Sequence, residues 1–457
     1  MKLIKILTIC LLMFYSAIAH AEHYAQSFLD SYFTATCAGS CLGIYSPMDS
    51  AEFDYMRGYG WQITPYRIKD SGTEVNFALC KNYFEELDQN IYVLTVRGSA
   101  SNGDWHIDFK TGGVAYEKED EEFLAKDGNK KYRNDYPLVH RGFNIYTNVI
   151  LKNIVFDEKG SFKGQFAEIM ADPKAKIFLT GHSLGGAVAT LLGERLVSAG
   201  MPTEKIQVIT FGAPAIGNKV FAERYGNRIN LRRVTNTADP IPGGLQTFFG
   251  NYKQFGTNVK FHLSPAIKAV QHDITMYFDY SIKESYRAYD EQIALGNIPP
   301  EATEHITEGV PVVALWTNAA KHIRDIAYIT DTERMVRDEY IDMFPSFVIM
   351  SKKVEMDDIG SSEIIKESQK AGADYILVVG LDASLNKNMN YHYLVLGQTL
   401  MDKNGNVLSI ETVSKKVSPS VGNIQAAEEN FAKVRPTLIE KLPFLNAVRK
   451  PSLFSGR

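Results

Sequence analysis

Five residues, Gly181-His182-Ser183-Leu184-Gly185, constrain this chain more than any other stretch. Ile177, Phe178 and Leu179 before them read as a short buried strand, and Leu184 to Ser198 after them read as a helix with small residues on its near face. A serine held between such a strand and helix is projected from the end of an α/β sheet by a sharp turn. Glycine at 181 and 185 suits that turn, because helix and strand approach too closely there to admit a Cβ. The same five-residue pattern also arises by chance, so its weight depends on what surrounds it.

At 457 residues the chain exceeds one ordinary core, and its 45% hydrophobic and 22% charged residues are those of a folded protein. Residues 1–21 stand apart. Lys2 and Lys5 precede an apolar run from Ile6 to Ile18, and Ala19-His20-Ala21 is the small-x-small pattern expected before signal-peptidase cleavage. The run is shorter than the roughly 20 residues that span a bilayer, so a cleaved signal and an extracytoplasmic mature protein, periplasmic or secreted, are expected. Losing the two lysines takes the formal charge from −4 to −6, and no clustered basic stripe invites nucleic acid. Cys37, Cys41 and Cys80 remain beyond the signal, and an oxidising compartment permits one bridge among them, the pair being open. Three cysteines without further ligands do not suggest a metal site.

Taken in order, Ala25 to Cys37 reads as a helix and is followed by a Gly- and Tyr-rich stretch without periodicity. Val75 to Tyr83 and Ile91 to Val96 read as strands, the second ending in Arg97-Gly98-Ser99-Ala100-Ser101. The end of a strand upstream of the elbow is where an acyl-transfer enzyme places a second oxyanion donor. Two N–H groups must already face the carbonyl oxygen as it becomes an anion. Leu184 would supply one from a helix N-terminus, where the dipole also favours negative charge, and Ser99 the other. Trp105, Ile107 and Phe109 form an amphipathic stretch just beyond, either a lid over the serine or a buried helix. Residues 113–136 are strongly charged and read as a solvated excursion; His140, which follows, reads as structural.

After the elbow helix, Gln207 to Phe211 and Ile229 to Val234 read as further strands. The acid of a Ser-Asp-His order belongs in the loop after a later strand, and Asp239, backed by Pro240 and Pro242, fits that place. Two histidines follow. His262 lies within a strand-like run, whereas His272 sits on a loop edge before a helix, from which a base can reach both serine and acid. The expected triad is Ser183, Asp239 and His272.

These residues carry a resemblance. Thr180 to Ala187, the run from Val96 to Ser101 with Asp104, Trp105 and Asp108, His140-x-Gly-Phe143, Thr210 to Pro214 with Gly217-Asn218, Asn236 to Pro242, and His272 to Tyr277 together resemble the class 3, fungal-type lipases over roughly residues 25–290. The resemblance implies an α/β-hydrolase fold for residues 22–298, cleavage of acylglycerols or phospholipids as substrates at a membrane or lipid interface, Ser99 and Leu184 as oxyanion hole, and a lid near Trp105. It calls for no metal or organic cofactor. The charged excursion at 113–136 and the insert from Asp157 to Gly164 depart from the usual pattern. The contrasting reading is an envelope binding or assembly protein with a vestigial hydrolase fold; the intact Ser, Asp and His argue against it.

Ile298-Pro299-Pro300-Glu301 reads as a linker, and the pattern then restarts as a smaller α+β unit over 305–445. Strands are expected at Val310 to Trp316, Phe347 to Met350, Asp374 to Leu381, Tyr391 to Met401 and Val407 to Val413, with helices around Asn318 to Ile329, Ser361 to Ala371 and Ile424 to Leu442. Lys403-Asn404-Gly405 is a hairpin signal. Asp331 to Arg334 and Gly372 to Tyr375 give this unit a resemblance to domains of the curli-secretion and penicillin-binding-protein-activator lipoproteins. It reads as a module that docks an envelope protein or as structural support, without an active site of its own.

Overall fold

The computed structural model describes residues 26–445 apart from 48–49, 71, 99–111, 118–134, 245–250, 263–270, 299, 325, 327, 352–360, 386–390 and 419. The signal segment, Ser99 and the stretch with Trp105, Ile107 and Phe109 lie outside the described residues.

A helix over 26–43 (α1) and Ala51–Gly58 (α2) lead into three antiparallel strands, Gln62–Asp70 (β1), Thr73–Phe84 (β2) and Gln89–Val96 (β3). The short strands Gly113–Ala115 (β4) and Leu138–His140 (β5) pair with each other. Helix Arg141–Ile150 (α3) continues into a π turn at Leu151–Val155, and Gly164–Ala171 (α4) follows. Then strands and helices alternate: Lys176–His182 (β6), Leu184–Ser198 (α5), Ile206–Phe211 (β7), Lys219–Tyr225 (α6), Leu231–Asn236 (β8) and Thr257–Phe261 (β9), before the long helix Ile274–Ala294 (α7). The seven long strands form one sheet in the order β1-β2-β3-β6-β7-β8-β9, parallel from β3 onward. With its serine turn at the C-terminal end of β6, this is the α/β-hydrolase fold.

Two absences from the sequence reading have physical causes. Strand β1 is an edge strand carrying Pro65 and buries neither face, so no period of two marks it. Helix α2 is only eight residues long, too short for periodicity, although Ser50 caps it by accepting from Phe53 N at 3.1 Å.

The second sheet has the order β10-β12-β11-β13-β14-β15, from Glu304–His305 (β10), Val313–Ala319 (β11), Phe347–Ile349 (β12), Tyr375–Leu385 (β13), His392–Asp402 (β14) and Val407–Val417 (β15). Helices Ile329–Ile341 (α8), Ser362–Lys370 (α9) and Asn423–Lys441 (α10) pack on it. The helix expected around Asn318 to Ile329 is displaced. Ala319 still pairs with Leu381 of β13 and Ala320 N bonds Leu381 O, so the strand persists, one 3₁₀ turn follows, and α8 starts at Ile329.

The main sheet has a core on each face. Leu94, Leu179, Leu184, Val188, Leu191 and Val208 belong to the one beneath α3 to α6. On the other face Val93, Phe178, Phe211 and Val234 meet α1 and α7, and that core runs on without a break through Val336, Tyr340, Leu396 and Phe431 of the second unit. The two sheets therefore share apolar contacts rather than hanging on a tether.

The bridge anticipated among the cysteines is not formed: Cys37, Cys41 and Cys80 are all free thiols, buried in the shared core. Cys37 and Cys41 lie one turn apart on α1, which sets their Cβ atoms about 5–6 Å apart, beyond the separation of about 3.5–4.5 Å that a disulfide needs. Cys41 instead lies 3.4 Å from Thr180 Oγ1, and Cys80 sits on β2. Burial pushes the Cys41 and Cys80 thiols up to about 12, so neither is a ready nucleophile.

Candidate active site

Strand β6 ends at His182 and α5 begins at Leu184, leaving Ser183 as the single residue in which the chain reverses. It adopts φ 57° and ψ −127°, a conformation that a side chain tolerates only where its surroundings enforce it. Ser183 N donates to Phe211 O at 2.9 Å, fastening the turn to the end of β7. The two flanking glycines permit the close approach. A Cβ on Gly181 would overlap the Gly185 backbone, and one on Gly185 would overlap the carbonyl of Val96 on β3. Leu184 opens α5, so its N–H is among the four that intrahelical bonding leaves over.

Asp239 follows β8 and His272 precedes α7; the fold brings them together. His272 Nδ1 donates to Asp239 Oδ2 at 2.6 Å, with the Asp239 side chain fully enclosed. Tyr277, one turn into α7, donates its hydroxyl to the same oxygen, and Ile241 N donates to Oδ1 at 2.8 Å. Burial, and then the Asp239 charge, push the Tyr277 phenol well above its usual range, which keeps it a donor. Asn236 ties the two loops: its amide donates to Gln271 O at 3.1 Å and to Gln271 Oε1 at 2.8 Å, while Ala238 N donates to its side-chain oxygen at 3.2 Å.

The serine's neighbour in the chain links it to His272. His182 Nε2 bonds the carbonyl oxygen of His272 at 2.7 Å, and the two rings lie 4.5 Å apart at their centroids. Since a carbonyl only accepts, Nε2 carries the proton, and Nδ1 then accepts from Tyr45 OH at 2.9 Å. Burial, with the adjacent His272 ring second, holds His182 well below the usual histidine range, so it stays neutral. His182 thereby fixes the backbone of His272 relative to the elbow. Neither His182 nor Tyr45 is visible as a functional residue in the sequence: the first occupies the variable place before the serine and the second lies in a stretch without pattern. Tyr277 and Asn236 belong to two of the motifs described above, where no role attaches to them.

The remaining expectations separate cleanly. His262 is exposed and pairs with Thr237 Oγ1 at 3.0 Å, apart from Asp239. His140 is buried against Phe143, with ring centroids 4.3 Å apart, and burial pushes its pKa down to about 4, as a packed neutral ring requires. Ser99 lies outside the described residues, but its neighbour Gly98 reaches the site: a Cβ there would come 3.6 Å from Ser183 Cβ.

Against this geometry stand the known proteins. Residues 93–247 match the model of the lipase (class 3) family. Over these residues the chain is similar to the class 3 lipases. The secreted mono- and diacylglycerol lipase 1 of Fusarium solani is 32% identical over 159 residues, 35% of this chain and 40% of that protein. Lipase ZK262.3 of Caenorhabditis elegans is 41% identical over 68 residues, 14% of this chain and 19% of that protein. The chloroplastic phospholipase A(1) DAD1 of Arabidopsis thaliana is 31% identical over 114 residues, 24% of each chain. The chain thus spans less than half the length of these relatives. Among solved structures, the triacylglyceride lipase of Rhizomucor miehei aligns with a TM-score of 0.38 at 20% identity, over 51% of this chain and 78% of that one. The match to the class 3 lipase model spans the elbow and Asp239 and ends before His272.

Proposed function

We propose that the protein is a serine hydrolase that cleaves carboxylic ester bonds of lipids. The observation that carries this reading is the conjunction of Ser183 in its strained turn with the His272–Asp239 pair at 2.6 Å. In the proposed cycle Ser183 Oγ attacks the acyl carbonyl as His272 Nε2 takes its proton. Asp239 holds the imidazole in the tautomer that leaves Nε2 free to accept, and it stabilises the imidazolium that forms. The Leu184 N–H, with Ser99 as the second donor, receives the oxyanion; His272 then returns the proton to the leaving alcohol, and water hydrolyses the acyl-enzyme.

The substrate class is acylglycerols or phospholipids met at a lipid interface. The names of the relatives support both, since they include an acylglycerol lipase and a phospholipase A(1). The signal-like residues 1–21 support an extracytoplasmic site of action, and N-terminal sequencing of the exported protein should begin at Glu22. Docking of the second unit onto an envelope protein is supported by its terminal strand, where Val407 and Ile410 are 54% and 67% exposed. The test is hydrolysis of esters of graded chain length and of diacyl phospholipids by the wild type and Ser183→Ala. The substitution should lower kcat at least ~10³-fold. Equal turnover by both proteins overturns the serine mechanism, and no turnover by the wild type overturns the enzyme reading.

A further inference from the structure

A cavity of about 140 Å³ lies between the lipase domain and the second unit, walled by α1, α2 and α7 on one side and by α8 and α10 on the other. Its two ends differ in charge balance. At one end Glu301 and Asp338 are paired with Arg334 and Arg337, and Arg334 also covers Tyr286 and Tyr289, with its guanidinium 4.4 and 5.6 Å from their ring centroids. At the other end stand Glu52 and Glu428, 5% and 6% exposed, and no basic side chain pairs with either among the described residues. Ser50 donates to one oxygen of Glu52 at 2.8 Å and the Gln425 side chain lies near the same carboxyl, but Glu428 Oε2 has no hydrogen-bond partner among the described residues.

Burying a carboxylate without a counter-charge costs several kcal/mol, and leucine or methionine would fill the same space without that penalty. Burial, and then the charges of Glu52, Glu339, Asp279 and Glu429, hold Glu428 well above the usual carboxyl range, so the pocket is short of positive charge. The deficit is not built for a metal ion: among the described residues no three His, Cys, Asp or Glu side chains are grouped to hold one. The same cavity is lined by aromatic rings, among them Tyr32, Tyr55, Tyr59 and Trp61. Carboxyls set among aromatic rings suit a cation with an apolar surface, whose charge interacts with ring faces as well as with acid oxygens. The volume is close to the roughly 150 Å³ of a cavity that holds benzene, so one small ion fits.

We propose that this cavity binds a small organic ammonium ion of the choline type, with its charge against Glu428 and Glu52 and its methyl groups against Tyr32, Tyr55 and Trp61. The ion comes either as a free amine or as the head of a larger molecule. It would join the two halves of the protein through a ligand that neither half holds alone.

Isothermal titration of the full-length mature protein with choline, and separately with its uncharged isostere 3,3-dimethylbutan-1-ol, tests this. Choline should bind saturably at one site and quench Trp61 fluorescence, and the isostere should bind at least ~10-fold more weakly. Glu428→Gln, and independently Glu52→Gln, should weaken choline at least ~10-fold while hydrolysis of a soluble ester stays within about twofold of wild type. Both exchanges keep the shape of the protonated acid, and a thermal melt at or above the wild-type midpoint verifies folding. A glycerophosphocholine arm identifies the source: affinity matching choline supports a headgroup ligand, and exclusion alongside choline binding supports a free amine. Absence of saturable choline binding, equal affinity for the isostere, or unchanged affinity in both variants overturns the proposal.

Discussion

Replacing Asp239 with asparagine preserves the shape of the side chain, and the hydrogen bonds around it decide what the amide must do. In the wild type Oδ1 accepts from Ile241 N at 2.8 Å, while Oδ2 accepts from His272 Nδ1 at 2.6 Å and from the Tyr277 hydroxyl. An amide has one acceptor, so one of these places must receive its NH₂. Turned toward Ile241, the NH₂ would meet a backbone N–H donor to donor in a side chain without solvent contact, leaving buried donors unpaired at about 1–3 kcal/mol. The oxygen therefore stays on Ile241 and the NH₂ takes the place beside His272, where it donates to Nδ1. That fixes the proton on Nε2, the tautomer that cannot accept from Ser183. The expected loss is ~10⁴-fold in kcat, about 5.5 kcal/mol of transition-state stabilisation. Initial rates on a short-chain soluble ester measure it, with a thermal melt run beside them, since the exchange removes a buried charge and should leave the fold intact. A folded variant retaining activity within ~10-fold of wild type refutes the assignment of Asp239 as the residue that sets the tautomer.

Three further outcomes are expected. Tyr277→Phe removes one hydrogen bond to the Asp239 carboxylate without touching substrate, and kcat should fall ~10-fold with KM nearly unchanged; an equal rise in KM would show a role in binding instead. Burial, and then the charges of Asp331 and Asp273, push Asp279 up to about 8, so the native state favours the protonated acid, its contribution is complete below about pH 4, and it is lost as pH rises through about 8. The urea midpoint should therefore fall between these values and flatten in Asp279→Asn; an identical pH slope in both proteins counts against it. A chain ending at Asn297 uncovers the shared core and should be insoluble or melt well below the full protein, whereas a stable, active fragment would show that the second unit is dispensable.

Much of the site is legible in the sequence because its chemistry is written in short motifs. Ser183, Asp239 and His272 sit at chain positions that only a strand-turn-helix elbow and two loop ends can occupy, and the sheet order then brings the loops together. His182 and Tyr45 are not legible there, because their roles are hydrogen bonds between elements 137 residues apart in sequence. Nothing in a local pattern distinguishes a tyrosine that fixes a tautomer from one that packs. Strand β1 and helix α2 escape for a related reason: burial leaves a period only on an element with one wet and one dry face of sufficient length. The cysteines show the reverse case, in which a compartment argument allows a bond that the fold does not form.

Helix α7 shows why the linker reading understates how the two halves depend on each other. Its first turn carries Tyr277 on the Asp239 carboxylate, and Asp273 caps it by accepting from Thr275 N at 3.1 Å, directly after His272. Further along the same helix, Tyr286 OH donates to Asp338 of α8 at 3.2 Å, and Asp290 pairs with Arg334 at 3.0 Å. One rigid rod thus spans from beside His272 to the second unit. A helix is stiff over this length, so where α8 holds the far end bears on where His272 stands relative to Ser183. Displacements near 1 Å at a reacting group are enough to change a rate ~10²-fold. The second unit therefore bears on the geometry of the proposed catalytic centre through the helix it clamps.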